Sequence, residues 1–359
     1  MLLTFFTFIN NKLVFAHMVA QSKIAILAII VIIPLVSVIL WSNENTENLE
    51  ISEDELQVYV SFYPLYETTQ AIIGQKADVK ILTPPNIDPH DFDPSVKIIQ
   101  EMKTADLIIL NGGGFESWIS NMEFEPGQLL DSSNGISFLE TKSIAHHEEH
   151  EEHEEHDEHA KEDEHEEHDE HEEHDEHEEH DEHEEHEVVS DPHIWLNPNL
   201  VKIQVKNIAE RLSKIDPENS KSYNENALQY VEKLELLDLQ IRDELSSCSK
   251  KDFITYHNAF SYFSDEYGLT QHTITKGVHS HSQPTAKSIE NIIDLAKELD
   301  IKVIFAEDTS DIRISKVIAD EIGADVLILS PAATEHIENK NYFERMQENT
   351  SNLKEALCN

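Results

Sequence analysis

Three histidines, His90, His193 and His257, stand in settings of one kind, each in a proline-stiffened loop or directly after a predicted strand. His90 lies within Thr83-Pro84-Pro85-Asn86-Ile87-Asp88-Pro89-His90-Asp91-Phe92-Asp93-Pro94, and His193 between the prolines of Asp191-Pro192-His193-Ile194-Trp195-Leu196-Asn197-Pro198. His257 follows Phe253-Ile254-Thr255-Tyr256. Imidazole is a neutral nitrogen donor, and three of them plus one further ligand make the tetrahedral set that Zn²⁺ favours. Any one alone is more often an ordinary hydrogen-bonded histidine. Three histidines with an open fourth position also describe catalytic zinc, so a zinc hydrolase is the rival chemistry, although no general base stands at a fixed spacing from them.

A second store of the same donors fills the stretch from His146 to Glu187. His146, His147, His150, His153, His156, His159, His165, His168, His171, His174, His177, His180, His183 and His186 alternate there with Glu and Asp, and Ala160 is the one apolar residue. Like charges repel and nothing apolar repays the ordering entropy, so a disordered, solvated loop is expected. A period of three also drifts around a 3.6-residue turn instead of lining up one histidine face. Auxiliary weak metal binding is the chemistry on offer, with a plain charged linker as the alternative. The match of His146 to His150 to the zinc-protease pattern H-x-x-E-H is a coincidence of composition, because that motif needs a stable helix.

Charge narrows the partners. The chain of 359 residues carries a formal net charge of −46. Removing the tract's 26 acids from 72, and its one lysine from 26 basic residues, leaves 46 against 25, still about −21. Nucleic acid is excluded, since a phosphate backbone demands Lys/Arg patches. An acidic surface draws cations instead.

From Ile24 to Trp41 the sequence is almost purely apolar, with Lys12 and Lys23 before it and Glu44, Glu47, Glu50 and Glu53 after it. That asymmetry predicts a single-pass anchor at the cell membrane with everything beyond Trp41 extracytoplasmic; a cleaved signal peptide is the rival. The two cysteines, Cys248 and Cys358, either pair across a loop of about 110 residues or stay as free thiols.

Strand-like and helix-like segments then alternate on both sides of the tract. Strands are expected at 56–62, 79–82, 107–110, 253–256, 273–275, 303–305 and 326–329, with helices between them. Asp216-Pro217-Glu218 opens a longer helix, in which Tyr223, Ala227, Tyr230, Leu234, Leu237, Ile241 and Leu245 recur at three- and four-residue steps. The expected fold class is α/β: two lobes, each a mainly parallel sheet flanked by helices, joined by one long rigid helix. The expected divisions are a tail and transmembrane signal-anchor (1–42), a spacer (43–54), an N-terminal lobe (55–215, with 146–187 its disordered loop), the linking helix (216–247) and a C-terminal lobe (248–359).

Several of these pieces are familiar together. Ser61-Phe62-Tyr63-Pro64-Leu65, Pro89-His90-Asp91-Phe92-Asp93-Pro94-Ser95, Asn111-Gly112-Gly113-Gly114-Phe115-Glu116-Ser117-Trp118, the segment around His193 and His257-Asn258-Ala259-Phe260-Ser261-Tyr262-Phe263 resemble the zinc/manganese-binding solute-binding proteins of ABC importers. The resemblance runs from about Leu56 to Leu357. It implies a metal clamped between two lobes by His90, His193 and His257, a His/acid-rich loop as in zinc-type members, and no enzymatic activity. It also implies Zn²⁺ as the transported ligand and an ABC permease with a cytoplasmic ATPase as partners; a monomer is expected. Manganese-type members resemble the chain but have glutamate where His257 stands and aspartate near Ser330-Pro331, so hard oxygen donors are missing and zinc is favoured over manganese. Glu116 matches a family glutamate and is expected to support the ligands or to supply the fourth. A metal-buffering surface protein without a transporter is the remaining alternative, and His272, His279 and His281 are expected in a solvated loop or lining the entrance.

Overall fold

The computed structural model describes residues 56–85, 87–144, 186–275, 283–308, 312–335 and 338–358, without side chains for 141–144 and 186–189. The expected anchor at 24–41, the tract histidines from His146 to His183, His279 and His281 lie outside the described residues.

In the N-terminal lobe the apolar runs of β1 (Val58–Val60) and β3 (Leu107–Leu110) are buried on both faces, as parallel strands covered by helices must be. With β2 (Val79–Ile81) and β4 (Leu129–Asp131) they form a parallel sheet in the order β2-β1-β3-β4. α1 (Tyr63–Ile73) and α2 (Val96–Met102) connect its strands; Pro64 sits in the first turn of α1, and the Ser95 side chain caps α2 at Ile98 N–H. β4 is absent from the sequence expectation because three residues after Pro126-Gly127 are too short to show a period.

The C-terminal lobe repeats the plan. β7 (Asp252–Thr255), β8 (Thr270–Thr273), β9 (Val303–Ala306) and β10 (Asp325–Ile328) are parallel in the order β8-β7-β9-β10. Read by rank within each lobe, both sheets run 2-1-3-4. β8 begins three residues earlier than its β-branched signal at 273–275, because pairing with β7 sets the register from Thr270 onward.

α3 (Pro198–Ile215) and α4 (Ser220–Ser246) follow the first lobe; α5 (Ser261–Tyr267), α6 (Ala286–Glu298), α7 (Ile312–Ile322) and α8 (Tyr342–Cys358) belong to the second. The seven apolar stripe residues of α4 are all buried. Over 27 residues, about 40 Å, α4 packs on α1 and α3 from one lobe and on α5 and α8 from the other, so a single core cluster continues through both. Cys248, just past α4, and Cys358, ending α8, are joined in a disulfide. Closing a loop of 110 residues contributes about 4 to 5 kcal/mol in the chain-entropy model.

One element departs from the expected loop. β5 (Glu140–Ile144) and β6 (His186–Ser190) pair antiparallel, Ile144 opposite His186 and Glu140 opposite Ser190. The expected disordered stretch of 146–187 therefore gives up its last two residues, because the flanking β-branched Val188 and Val189 extend a strand back through Glu187 and His186.

Candidate metal centre

Each histidine is fixed by the loop that carries it. After β2, the Asp88 side chain accepts the His90 N–H at 2.9 Å and starts the single turn Pro89–Asp91 that presents His90. Phe115 packs its ring edgewise against the His90 imidazole, centroids 4.8 Å apart. One oxygen of Asp191, Oδ1, accepts both the His193 backbone N–H at 3.0 Å and its Nδ1 at 2.8 Å. Oε1 of Glu307, directly after β9, does the same for His257, at 3.1 Å from the backbone nitrogen and 2.6 Å from Nδ1.

These carboxylates place the ring proton on Nδ1 and turn the Nε2 lone pair the other way. Nε2 of His193 lies 3.1 Å from Nε2 of His90 and 3.4 Å from Nε2 of His257. Two nitrogens bound at 2.0 to 2.1 Å in a tetrahedron are separated by about 3.3 to 3.4 Å. All three ligand atoms fall within 4.8 Å of one another, and among the described residues no carboxylate joins the group. Lone pairs converging so closely repel unless a cation sits among them.

Electrostatics differ between the two buried rings. Burial pushes His193 below the usual imidazole range, and Asp191 opposes it without prevailing. For His257 burial acts in the same direction, but the charge and hydrogen bond of Glu307, with Asp88 and Asp191, raise it above that range. Asp191 itself is held below the usual carboxylate range; burial acts to raise it and the His193 contacts outweigh that.

The second lobe also grips the His193 segment. Trp195 Nε1–H donates to the Pro331 carbonyl at 2.7 Å, and the Tyr342 hydroxyl to the Trp195 carbonyl at 2.9 Å. Tyr262 donates its hydroxyl to the Asp191 carbonyl at 2.7 Å and accepts the Leu139 N–H at 2.9 Å, fastening the base of the β5–β6 hairpin beside His193. The segment Ser330–Glu335 closes over the site. Arg345, buried, holds the Thr334 carbonyl at 2.5 Å, Ser330 Oγ at 2.7 Å and Asp308 at 2.9 Å. Ala332, at φ 54°, takes the left-handed conformation that costs an L-residue about 1 to 2 kcal/mol. Because Ser330 Oγ donates to Asp308 at 2.6 Å and accepts from Ala332 N–H at 3.1 Å, its hydroxyl is committed to this network. Enclosed by Asp88, His90, His193, Trp195, His257 and Thr334, with Pro89, Pro331 and Ala333, is a cavity of about 10 Å³, the smallest that holds one water.

Glu116 stands apart from this cluster. Its carboxylate accepts Asn111 N–H at 2.7 Å and Gly112 N–H at 3.1 Å, and burial pushes it up to about 7 although those donors act to lower it. It braces the loop whose Phe115 touches His90, and is not among the converging donors. His272 is on β8 against Asp252 at 2.9 Å, away from the cluster. Asp191, Glu307 and Tyr262 were given no role from sequence; the available signal was an acid at a strand's C-terminal end and a Tyr five residues after His257.

Comparison with known proteins agrees with this geometry. Residues 58–356 match the family described as the zinc-uptake complex component A, periplasmic. The chain belongs to this family. The high-affinity zinc uptake system protein ZnuA of Bacillus subtilis is 35% identical over 312 residues, covering 85% of this chain and 88% of that protein. The zinc-binding protein AdcA of Streptococcus pyogenes is 31% identical over 310 residues; the chain spans 56% of its length, with 85% of this chain covered. The crystal structure of the Bacillus subtilis metal-dependent lipoprotein YcdH superposes with a TM-score of 0.65 at 30% identity, over 85% of this chain and all of that one. The two parallel-sheet lobes of this chain are thus those of the family. Among the described residues no helix is long and apolar enough to cross a membrane.

Proposed function

We propose that this protein is the extracytoplasmic receptor of a zinc importer, capturing Zn²⁺ between its lobes through His90, His193 and His257 and delivering it to an ABC permease driven by a cytoplasmic ATPase. The observation that carries this reading is the convergence of three imidazoles, with Nε2 of His193 3.1 Å from that of His90 and 3.4 Å from that of His257, close to a tetrahedral zinc edge, and all three ligand atoms within 4.8 Å of one another. Membership of the zinc-uptake family supports the same cargo. Three imidazoles without a ligating carboxylate favour zinc over manganese. A hydrolase receives no support from the relatives, which are zinc-uptake and zinc-binding proteins.

The lobes are taken as 55–215 and 248–359 with 216–247 between them, and the receptor works as a monomer. Membrane attachment is assigned to the apolar run Ile24–Trp41. The tract histidines contribute weak, auxiliary sites. Calorimetry tests the reading: one tight zinc equivalent is expected on the full chain, lost in His193→Ala, with further weak equivalents unaffected. Restoration of growth under zinc limitation, in cells lacking their own receptor but retaining the permease and ATPase, tests delivery.

A further inference from the structure

The N-terminus of α8 is capped from two sides. Within the chain's own turn, the Asn341 side chain accepts Glu344 N–H at 3.1 Å and the Glu344 carboxylate accepts Asn341 N–H at 2.8 Å. That pair leaves over the N–H of Tyr342, the first helical residue, which has no partner inside its own helix. Glu67, on α1 of the other lobe and 275 residues away, accepts it at 2.8 Å. A carboxylate at a helix N-terminus suits the helix dipole. This one is half-buried, however, and burial pushes it up to about 7, although the Tyr342 N–H and Arg345 act to lower it. Also facing it are Glu344 of α8, Tyr230 of α4 and Tyr63 of its own helix.

What α8 carries connects this bond to the metal site. Arg345 binds the Thr334 carbonyl and Ser330 Oγ, and Asn349 accepts Ser330 N–H at 2.8 Å and donates to the Ser330 carbonyl at 2.7 Å. Tyr342 itself binds the Trp195 carbonyl, two residues from His193. Pro331, Ala333 and Thr334 of the segment so held line the metal cavity. His193 and His257 are only 0% and 2% exposed, so zinc reaches them when this wall gives way.

We propose that Glu67 is a positioning residue for zinc capture and release, holding the Ser330–Glu335 wall shut by capping α8 from the opposite lobe. The inference rests on the zinc-receptor reading and names a residue that governs access to that site. When the wall opens, α8 draws away from α1, water reaches Glu67, and its carboxyl returns toward the ordinary 4.5. A carboxyl more basic in the closed form favours closing fully below 4.5, and that contribution is lost as pH climbs through about 7. The proton does not cost the bond, because the carbonyl oxygen of a neutral carboxyl still accepts Tyr342 N–H while the buried charge is gone. Closing thus takes up a proton at Glu67, opposite in sign to the proton release that histidine ligation demands.

The test mixes the full chain, loaded with one equivalent of zinc, with excess chelator between pH 5.5 and 8.5 and follows release by stopped flow. Dividing the wild-type rate by that of Glu67→Gln cancels the histidines' own pH dependence. Glutamine keeps the accepting carbonyl but is never charged, so the ratio is expected to lie near one at pH 5.5 and to reach about ten by pH 8.5. Glu67→Ala, which removes the acceptor, should release zinc about threefold or more faster than Glu67→Gln at every pH. In metal-free protein at pH 8, hydrogen exchange from Ser330 to Thr334 should be slower in Glu67→Gln than in the wild type. A ratio flat across the range, an alanine variant as slow as the glutamine one, or equal exchange in wild type and Glu67→Gln would overturn the proposal. Failure of zinc alone to fill a tight site would instead strike the receptor reading.

Discussion

In the N-terminal lobe the loop leaving the third strand of the sheet carries Glu116, whose two carboxylate oxygens turn back on that loop's own N–H groups. In the C-terminal lobe the corresponding loop carries Glu307, which reaches across to the backbone and ring of His257. Both sheets have the same strand order, and both acids are buried. What separates them is the place of the ligand. His257 leaves the strand next to β9, within reach of a side chain at its end, whereas His90 leaves β2, on the far side of β1 from β3. One sheet plan therefore gives a buried acid two uses: shaping a loop that supports a site histidine from behind, or orienting such a histidine itself.

The largest effect expected is common to both lobes. Replacing His90, His193 or His257 by Ala should weaken the tight zinc equivalent by about 100-fold or more, since loss of an orienting partner alone costs about 10- to 100-fold. Competitive chelator titration measures this, and an unchanged affinity in any one variant removes that residue from the site.

Next in size, the two acids should part company. Glu307→Gln is expected to weaken zinc about 10- to 100-fold with little loss of metal-free stability. Glu116→Gln, which leaves one of two buried N–H groups without its carboxylate oxygen, should cost about 1 to 3 kcal/mol of stability and change zinc affinity less than about threefold. Equal profiles for the two variants in chelator titration and urea unfolding would erase the distinction drawn above.

The same contrast has a pH signature. Burial raises Glu116 from 4.5 to about 7. A carboxyl more basic when folded favours the native state fully below 4.5, and that contribution fades as pH climbs through about 7. Metal-free protein should thus lose up to about 3 kcal/mol over this window from Glu116 alone. Glu116→Gln should flatten that slope, which thermal unfolding between pH 4.5 and 8 would reveal. Smallest is Tyr262→Phe. Removing the hydroxyl between Asp191 and Leu139 should weaken zinc about two- to tenfold, and shift the visible absorption of Co²⁺ in the tight site as His193 loosens. A spectrum identical to the wild type would confine Tyr262 to holding the hairpin.

The three converging histidines and both sheets were readable because they depend on local pattern: proline-rich loops after strands, apolar runs of strand length, a seven-residue stripe on α4. The orienting acids were not, because Asp191 and Glu307 acquire their roles only when strand order brings carboxylate and imidazole together. For Glu307 and His257 that meeting spans 50 residues of sequence. β5 and β6 were hidden for a related reason. Their pairing joins segments on opposite sides of a long charged tract, which contributes no period of its own to mark where a strand begins.

The β5–β6 hairpin sets the ends of that tract side by side, Ile144 opposite His186. A chain that leaves and re-enters at one paired position imposes no distance on what lies between. Each doubling of such a segment costs only about 0.6 kcal/mol in closure entropy. The stretch between these two residues is accordingly the natural splice point of the molecule, where sequence of other length or composition can be exchanged while the register of the stem, and with it the lobes beneath, stays as it is.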